Sequence, residues 1–97
     1  MYLVEIRYTK ALEEVDQHLQ AHLAFLDRYY AAGKFLLSGP FEPRDGGIII
    51  VDSDDEEEVR RMIAEDSFYQ HNAAEYKIDR IRITRADACL RDRLSLS

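Results

Sequence analysis

The apolar residues of this chain change their period at Lys10. Before it, Tyr2, Val4, Ile6 and Tyr8 alternate with Leu3, Glu5 and Arg7, the two-residue repeat of a strand with one apolar face. After it, Leu12, Val15, Leu19, Leu23, Leu26 and Tyr30 recur three and four apart, which predicts one long helix from about Ala11 to a C-terminal cap at Gly33. A strand and a helix with one apolar side each can cover one another, but a lone strand leaves its backbone groups unpaired. The rest of the chain must supply a sheet.

Phe35 to Ser38 and Ile48 to Val51 read as two strands of an antiparallel hairpin, joined by about seven to nine residues that include Pro43 and Gly46-Gly47. Ser38-Gly39-Pro40 should end the first of them, because Pro40 cannot donate to a ladder and Gly39 admits close backbone approach. In "SDDEEEVRRMIAED", Ser53 and Glu56 have capping-box spacing, acidic residues crowd the positive helix end, and Glu56–Arg60 and Glu57–Arg61 are i,i+4 pairs. A short second helix follows from this. "AEYKIDRIRIT" is a last strand whose apolar parity changes from Tyr76 and Ile78 to Ile81 and Ile83, which predicts a bulge near Asp79. We expect a single domain over 1–97, with a core of about 1–85 and a tail, 86–97, that adds a helical turn or frays.

The order βαββαβ is α+β and ferredoxin-like, with two helices on one face of a four-stranded antiparallel sheet. "IIIV", Ile48–Val51, is apolar on both faces, yet the helices cover only one. We therefore expect a homodimer whose sheets meet face to face around a shared barrel; the other reading is an apolar patch tolerated on a monomer.

A chain of 97 residues with 46% hydrophobic and 33% charged residues has the composition of an ordered, water-soluble domain. Its net charge of −6 and scattered basic residues argue against nucleic-acid or anionic-membrane partners, and no run has spanning length. Glu5 and Arg7 interrupt the only N-terminal apolar stretch, so no signal peptide is expected, and the lone Cys89 suits a reducing cytoplasm.

His22 lies three residues after Leu19 and four before Leu26, inside the apolar arc of the long helix. An imidazole facing a sheet must find a partner for its ring N–H; beside a carboxylate it becomes a general base, and beside a backbone carbonyl merely a satisfied core residue. Asp66 precedes Ser67-Phe68 and reads either as that carboxylate or as the N-cap of a turn through His71. Ser38 offers a hydroxyl at a strand end. His18 and His22 have helix-ligand spacing but no further ligand block, so no metal is expected, and His71 reads as a surface residue. Gly46-Gly47 lacks the helix and Lys of a phosphate loop, and Cys89 lacks an activating base.

Three blocks, "AHLAFLDRYYAAGKFLLSGP", "GGIII" and "AEDSFYQHNAAEYKI", resemble the YCII-related (YciI-like) family over about Tyr2 to Ile83. The resemblance implies a dimeric α+β barrel of ferredoxin-like subunits. It also implies a pocket in which His22 and Asp66 form a catalytic pair, with Ser38, Gly39 and Pro40 beside the substrate. The chain departs from the pattern twice. Leu19 stands where the family often has an Arg, which removes an anion clamp, and Ser67 replaces the proline after the aspartate, which loosens a rigid turn.

Residues and resemblance together favour a cofactor-free isomerase or lyase acting on a small carbonyl or aromatic compound, in which Asp66 orients His22 and the free ring nitrogen moves a proton. The alternatives are a non-catalytic dimeric module that binds a small ligand or partner and, on fold analogy alone, a cofactor-free monooxygenase.

Overall fold

The computed structural model describes residues 1–94. Strands β1 (Tyr2–Tyr8), β2 (Phe35–Pro40), β3 (Gly46–Val51) and β4 (Ala74–Arg80) form a four-stranded antiparallel sheet in the order β2-β3-β1-β4. Helices α1 (Leu12–Asp16) and α2 (Leu19–Ala31) connect β1 to β2, and α3 (Glu56–Ile63) and α4 (Ser67–Gln70) connect β3 to β4. This is the ferredoxin-like α+β arrangement read from the sequence. A final helix, α5 (Ala88–Leu94), comes after β4; the last residues of the tail, 95–97, lie outside the described part.

Burial in the sheet follows strand parity. Tyr2, Val4 and Ile6 of β1 and Ile49 and Val51 of β3 join Val15, Phe25, Val59, Met62 and Phe68 from the helical side in one core. At about 1.5–3 kcal/mol for each fully buried large apolar side chain, this layer is the main stabilising term. Ile48 and Ile50, of the opposite parity, are only partly buried, and Leu37 is 48% exposed. No helix among the described residues is long and apolar enough to cross a membrane.

Several expectations are corrected. The long helix is two helices, because Gln17 and His18 donate to carbonyls three residues back, those of Glu14 and Val15. Neither Gly nor Pro marks the break. It is held from outside: the His18 carbonyl accepts from the Ser67 hydroxyl at 2.8 Å, and the His18 ring stacks on His71 with centroids 4.0 Å apart. The buried stripe is also rotated from the predicted one. His22 and Phe25 are its buried members, whereas Leu12, Leu23 and Tyr30 are exposed. The end at Gly33 is as expected, with Gly33 at φ 74° and its N–H bonded to the Tyr30 carbonyl while Lys34 reaches back to Tyr29.

The N-cap of α3 is Asp55, which accepts from the Glu57 N–H, and not Ser53. The Ser53 hydroxyl is occupied by the backbone of Asp55. The Glu56–Arg60 and Glu57–Arg61 pairs do form. In β4 the register runs unshifted from Ala74 to Arg80, so the parity change after Asp79 marks the end of the strand and not a bulge.

The register shift lies instead in β2, where Phe35 pairs with Val51 but Leu37 with Ile50, leaving Leu36 as the extra residue. This shift reverses the parity of the rest of the strand: Ser38 pairs with the buried Ile49, on the helix side, instead of facing away as strict alternation from Phe35 would require. The Ser-Gly-Pro sequence does not end the strand. Ser38, Gly39 and Pro40 stay in β2, paired with Ile49, Ile48 and Gly47; β2 is an edge strand, where a proline without N–H costs little. Only 41–45 are left to join the strands. The Gly-Gly pair answers to close contact, since a Cβ on Gly46 would stand 1.9 Å from the Ile6 carbonyl oxygen and one on Gly47 2.5 Å from that of Gly39.

Candidate active site

His22 projects from α2 into the layer between helix and sheet and is 8% exposed. Its ring lies flat on Phe68, with centroids 4.1 Å apart and planes 9° from parallel, which fixes its plane. Asp66 sits where α3 gives way to α4 and is 0% exposed. Its Oδ1 caps α4 by accepting from the Phe68 N–H at 3.1 Å and lies 2.8 Å from His22 Nδ1. The two roles that the sequence allows Asp66, helix cap and imidazole partner, are thus filled by one carboxylate oxygen.

The second oxygen, Oδ2, accepts from the Tyr76 hydroxyl of β4 at 2.5 Å. Burial first, and then the charge of Asp66, push the Tyr76 hydroxyl well above its ordinary range, so it keeps its proton and is the donor. An acceptor-only carboxylate needs a donor at His22 too, which in the neutral imidazole assigns the hydrogen to Nδ1 and leaves the lone pair on Nε2. Nε2 has no hydrogen-bond partner among the described residues. The resulting chain Tyr76–Asp66–His22 leaves the outermost nitrogen free on a ring that walls a cavity.

That cavity, of about 320 Å³, lies between α2 and the ends of β2 and β3. It falls in the range of small-ligand sites, roughly 300–1,000 Å³. His22, Ser38, Gly39 and Pro40 all line it, together with Leu19, Leu23, Leu26 and Phe68. Asp66 is not one of its walls and stands behind the imidazole. The Ser38 hydroxyl is 2.7 Å from that of Tyr30 and makes no hydrogen bond to His22. Ser67, the residue expected to loosen the turn, ties it to α2 through its bond to His18.

Three contributors escape a reading of the sequence. Tyr76 reads there only as an apolar member of the last strand, and its hydroxyl partner depends on α4 lying against β4. Arg44 belongs to the hairpin loop yet lines the cavity. Phe68 carries the imidazole. The one advance signal is Tyr76 itself, since a buried tyrosine needs a partner for its O–H.

A family profile of the YCII-related domain matches residues 1–82. The chain belongs to the YCII-related family. No curated protein sequence matches it. Among solved structures, 5-chloro-2-hydroxyhydroquinone dehydrochlorinase (TftG) from Burkholderia phenoliruptrix AC1100, in complex with 2,5-dihydroxybenzoquinone, superposes with a TM-score of 0.71 over 84% of this chain and 94% of that one. At 20% identity the likeness is one of fold. The YCII-related match stops short of α5, whose Arg93 bonds Asp52 and the Gly33 carbonyl.

Proposed function

We propose that this chain is a cofactor-free enzyme of lyase or isomerase type that moves a proton on a small carbonyl or aromatic compound. The observation that carries this reading is the 2.8 Å contact between Asp66 and His22 Nδ1 on the wall of a cavity that a small ring can enter. In the proposed step, His22 Nε2 takes a proton from a carbon next to a carbonyl. The C–H electron pair moves to the carbonyl oxygen as an enolate, and the imidazolium that forms faces the negative charge of Asp66. Return of the proton to another carbon completes an isomerisation; departure of a group from the β-carbon with its bonding pair completes an elimination. The Ser38 hydroxyl, which also lines the cavity, is a donor for the enolate oxygen. That the structural neighbour is named a dehydrochlorinase and holds a quinone supports the elimination form.

The test is exchange of substrate carbon-bound hydrogen with deuterium oxide, or product formation, across a panel of small ketones, quinones and phenols. His22→Asn should lower the rate by about 10²–10⁴-fold while the melting temperature stays near that of the wild type. A panel compound that binds in the cavity but turns over equally in wild type and variant would leave a binding module in place of an enzyme.

We further propose a homodimer through the sheet face opposite α1 to α4, supported by the half-buried Ile48 and by the exposed Leu37 and half-buried Ile50, which share an apolar groove with Leu90 and Leu94 of α5. Sedimentation should give twice the chain mass of 11.3 kDa, and Ile48→Lys should return it to one. A wild type that sediments as a monomer rejects the dimer.

A further inference from the structure

We propose that Arg44 makes the His22 cavity a site for anionic ligands, so that the substrate is a ring or enone bearing a carboxylate or an equally acidic hydroxyl. The proposal rests on the reading of this cavity as the substrate site and adds the class of substrate it takes.

The cavity wall is apolar apart from a few groups, and among the described residues Arg44 is its only Lys or Arg and no Asp or Glu lines it. In a chain of net charge −6 this places a cation on the wall, its side chain 30% exposed. Arg44 is also held in place. Its Nε donates to the Tyr8 hydroxyl at 3.3 Å, and its guanidinium carbon lies 5.4 Å from the centre of the Tyr8 ring. Tyr8 meets Phe68 edge-on at 5.7 Å, and Phe68 carries the His22 ring. The cation and the proposed base are therefore fixed to one aromatic stack.

Its hydrogen bonding is incomplete. Asp16 Oδ1 approaches Nη2 to 2.7 Å, but off the direction of the N–H bonds, so that Nη2 is buried without an aligned hydrogen bond. Nη1 has no acceptor among the described residues. Asp16 is 48% exposed and outside the cavity wall, so it offsets the charge from the solvent side and leaves Nη1 as the open donor. A carboxylate entering the cavity would supply the acceptor that Nη1 lacks, a charge-assisted bond that the rigid, permanently charged guanidinium aims better than a Lys ammonium would. The upward shift of the Arg44 guanidinium, caused first by Asp16 and then by Tyr8, keeps it charged at any working pH.

The experiment is calorimetric titration of the intact chain with 4-hydroxybenzoate and with 4-hydroxybenzamide, which match in shape but differ in charge. The wild type should bind the acid at least about tenfold more tightly than the amide. Arg44→Gln should bring the two within about twofold by weakening the acid alone, and Arg44→Lys should fall between. A role in folding alone would lower both affinities or the melting temperature and leave their ratio unchanged, which overturns the proposal. Equal binding of acid and amide by the wild type, or binding of neither, overturns it too. A preference that survives Arg44→Gln but vanishes in His22→Asn assigns the anion to the imidazole and does the same. The ratio is independent of turnover, so failure of the proton-transfer reading shows separately, as an absence of deuterium exchange with the acid preference intact.

Discussion

Tyr76 donates its hydroxyl hydrogen to Asp66 Oδ2 at 2.5 Å, across the junction between the last strand and the turn that carries the carboxylate. The contact gives a carboxylate with 0% exposure the partner that its helix cap and its imidazole do not supply, because both of those use Oδ1. A buried charge left with an empty lone pair is costly. Tyr76→Phe should therefore destabilise the chain by about 1–3 kcal/mol in denaturant titration, although it keeps the ring. Nitrogen-15 spectra should show His22 as the Nδ1–H tautomer in the wild type and a mixture in the variant. A loss of stability below about 0.5 kcal/mol, within the range of neutral surface changes, would mean that solvent or a rotated carboxylate replaces the bond.

The same hydroxyl shapes the alkaline limb of stability. Tyr76 is raised above its ordinary value of 10.0 by burial and then by Asp66, so the unfolded chain gives up this proton at a lower pH than the folded one. The stabilisation is complete below pH 10 and falls as pH rises above it, by about 1.4 kcal/mol per pH unit for this one group. Tyr29 contributes in the same direction, through burial and then Glu65. Melting curves between about pH 9 and 11 should thus fall more steeply for the wild type than for Tyr76→Phe, which keeps only the Tyr29 part. Parallel slopes would show that Tyr76 titrates freely.

How much of this is legible in the sequence depends on the range of the interactions. The parity of β1 and the inward direction of His22 are local arithmetic on a strand and a helix, and they read directly. Asp66 falls at the right turn because capping is local too. Ser38 reads as a strand-end residue, whereas it faces the cavity because Leu36 is an extra residue in β2, and nothing in "FLLSGP" marks which residue is extra. The break at Gln17-His18 and the cap at Asp55 each depend on a hydroxyl, of Ser67 or Ser53, that takes a backbone partner elsewhere. Tyr76 and Arg44 reach the site from segments 10 and 22 residues from Asp66 and His22, across a packing arrangement that periodicity does not encode.

Two glycines of the cavity wall, Gly46 and Gly39, differ in the room each leaves for a side chain. A methyl group on Gly46 would meet the Ile6 carbonyl at 1.9 Å, and the two backbones would have to part to admit it. Gly39, which lines the cavity, has nothing within 4 Å of the corresponding position. Gly46→Ala should cost more than about 2 kcal/mol, and Gly39→Ala should stay within about 0.5 kcal/mol. Thermal unfolding of the two variants checks this; similar melting temperatures would show that β1 and β3 yield at this point.

Ser67 tests whether the turn is aimed by covalent stiffness or by a tether. Its hydroxyl donates to the His18 carbonyl at 2.8 Å, joining the turn that holds Asp66 to the start of the helix that holds His22. Ser67→Ala removes the donor and should cost about 1 kcal/mol. It should also disturb the His22–Asp66 contact, seen as a changed His22 ring-nitrogen shift. Ser67→Pro removes the same donor, but proline suits the first position of a helix and restricts the unfolded chain, so it should regain about 0.4–1 kcal/mol of that loss. Recovery of stability by proline without recovery of the His22 shift would identify the hydroxyl tether as what aims the pair. Recovery of both would identify a stiff turn, with the tether dispensable, and an unchanged Ser67→Ala would remove the tether from the account of the site.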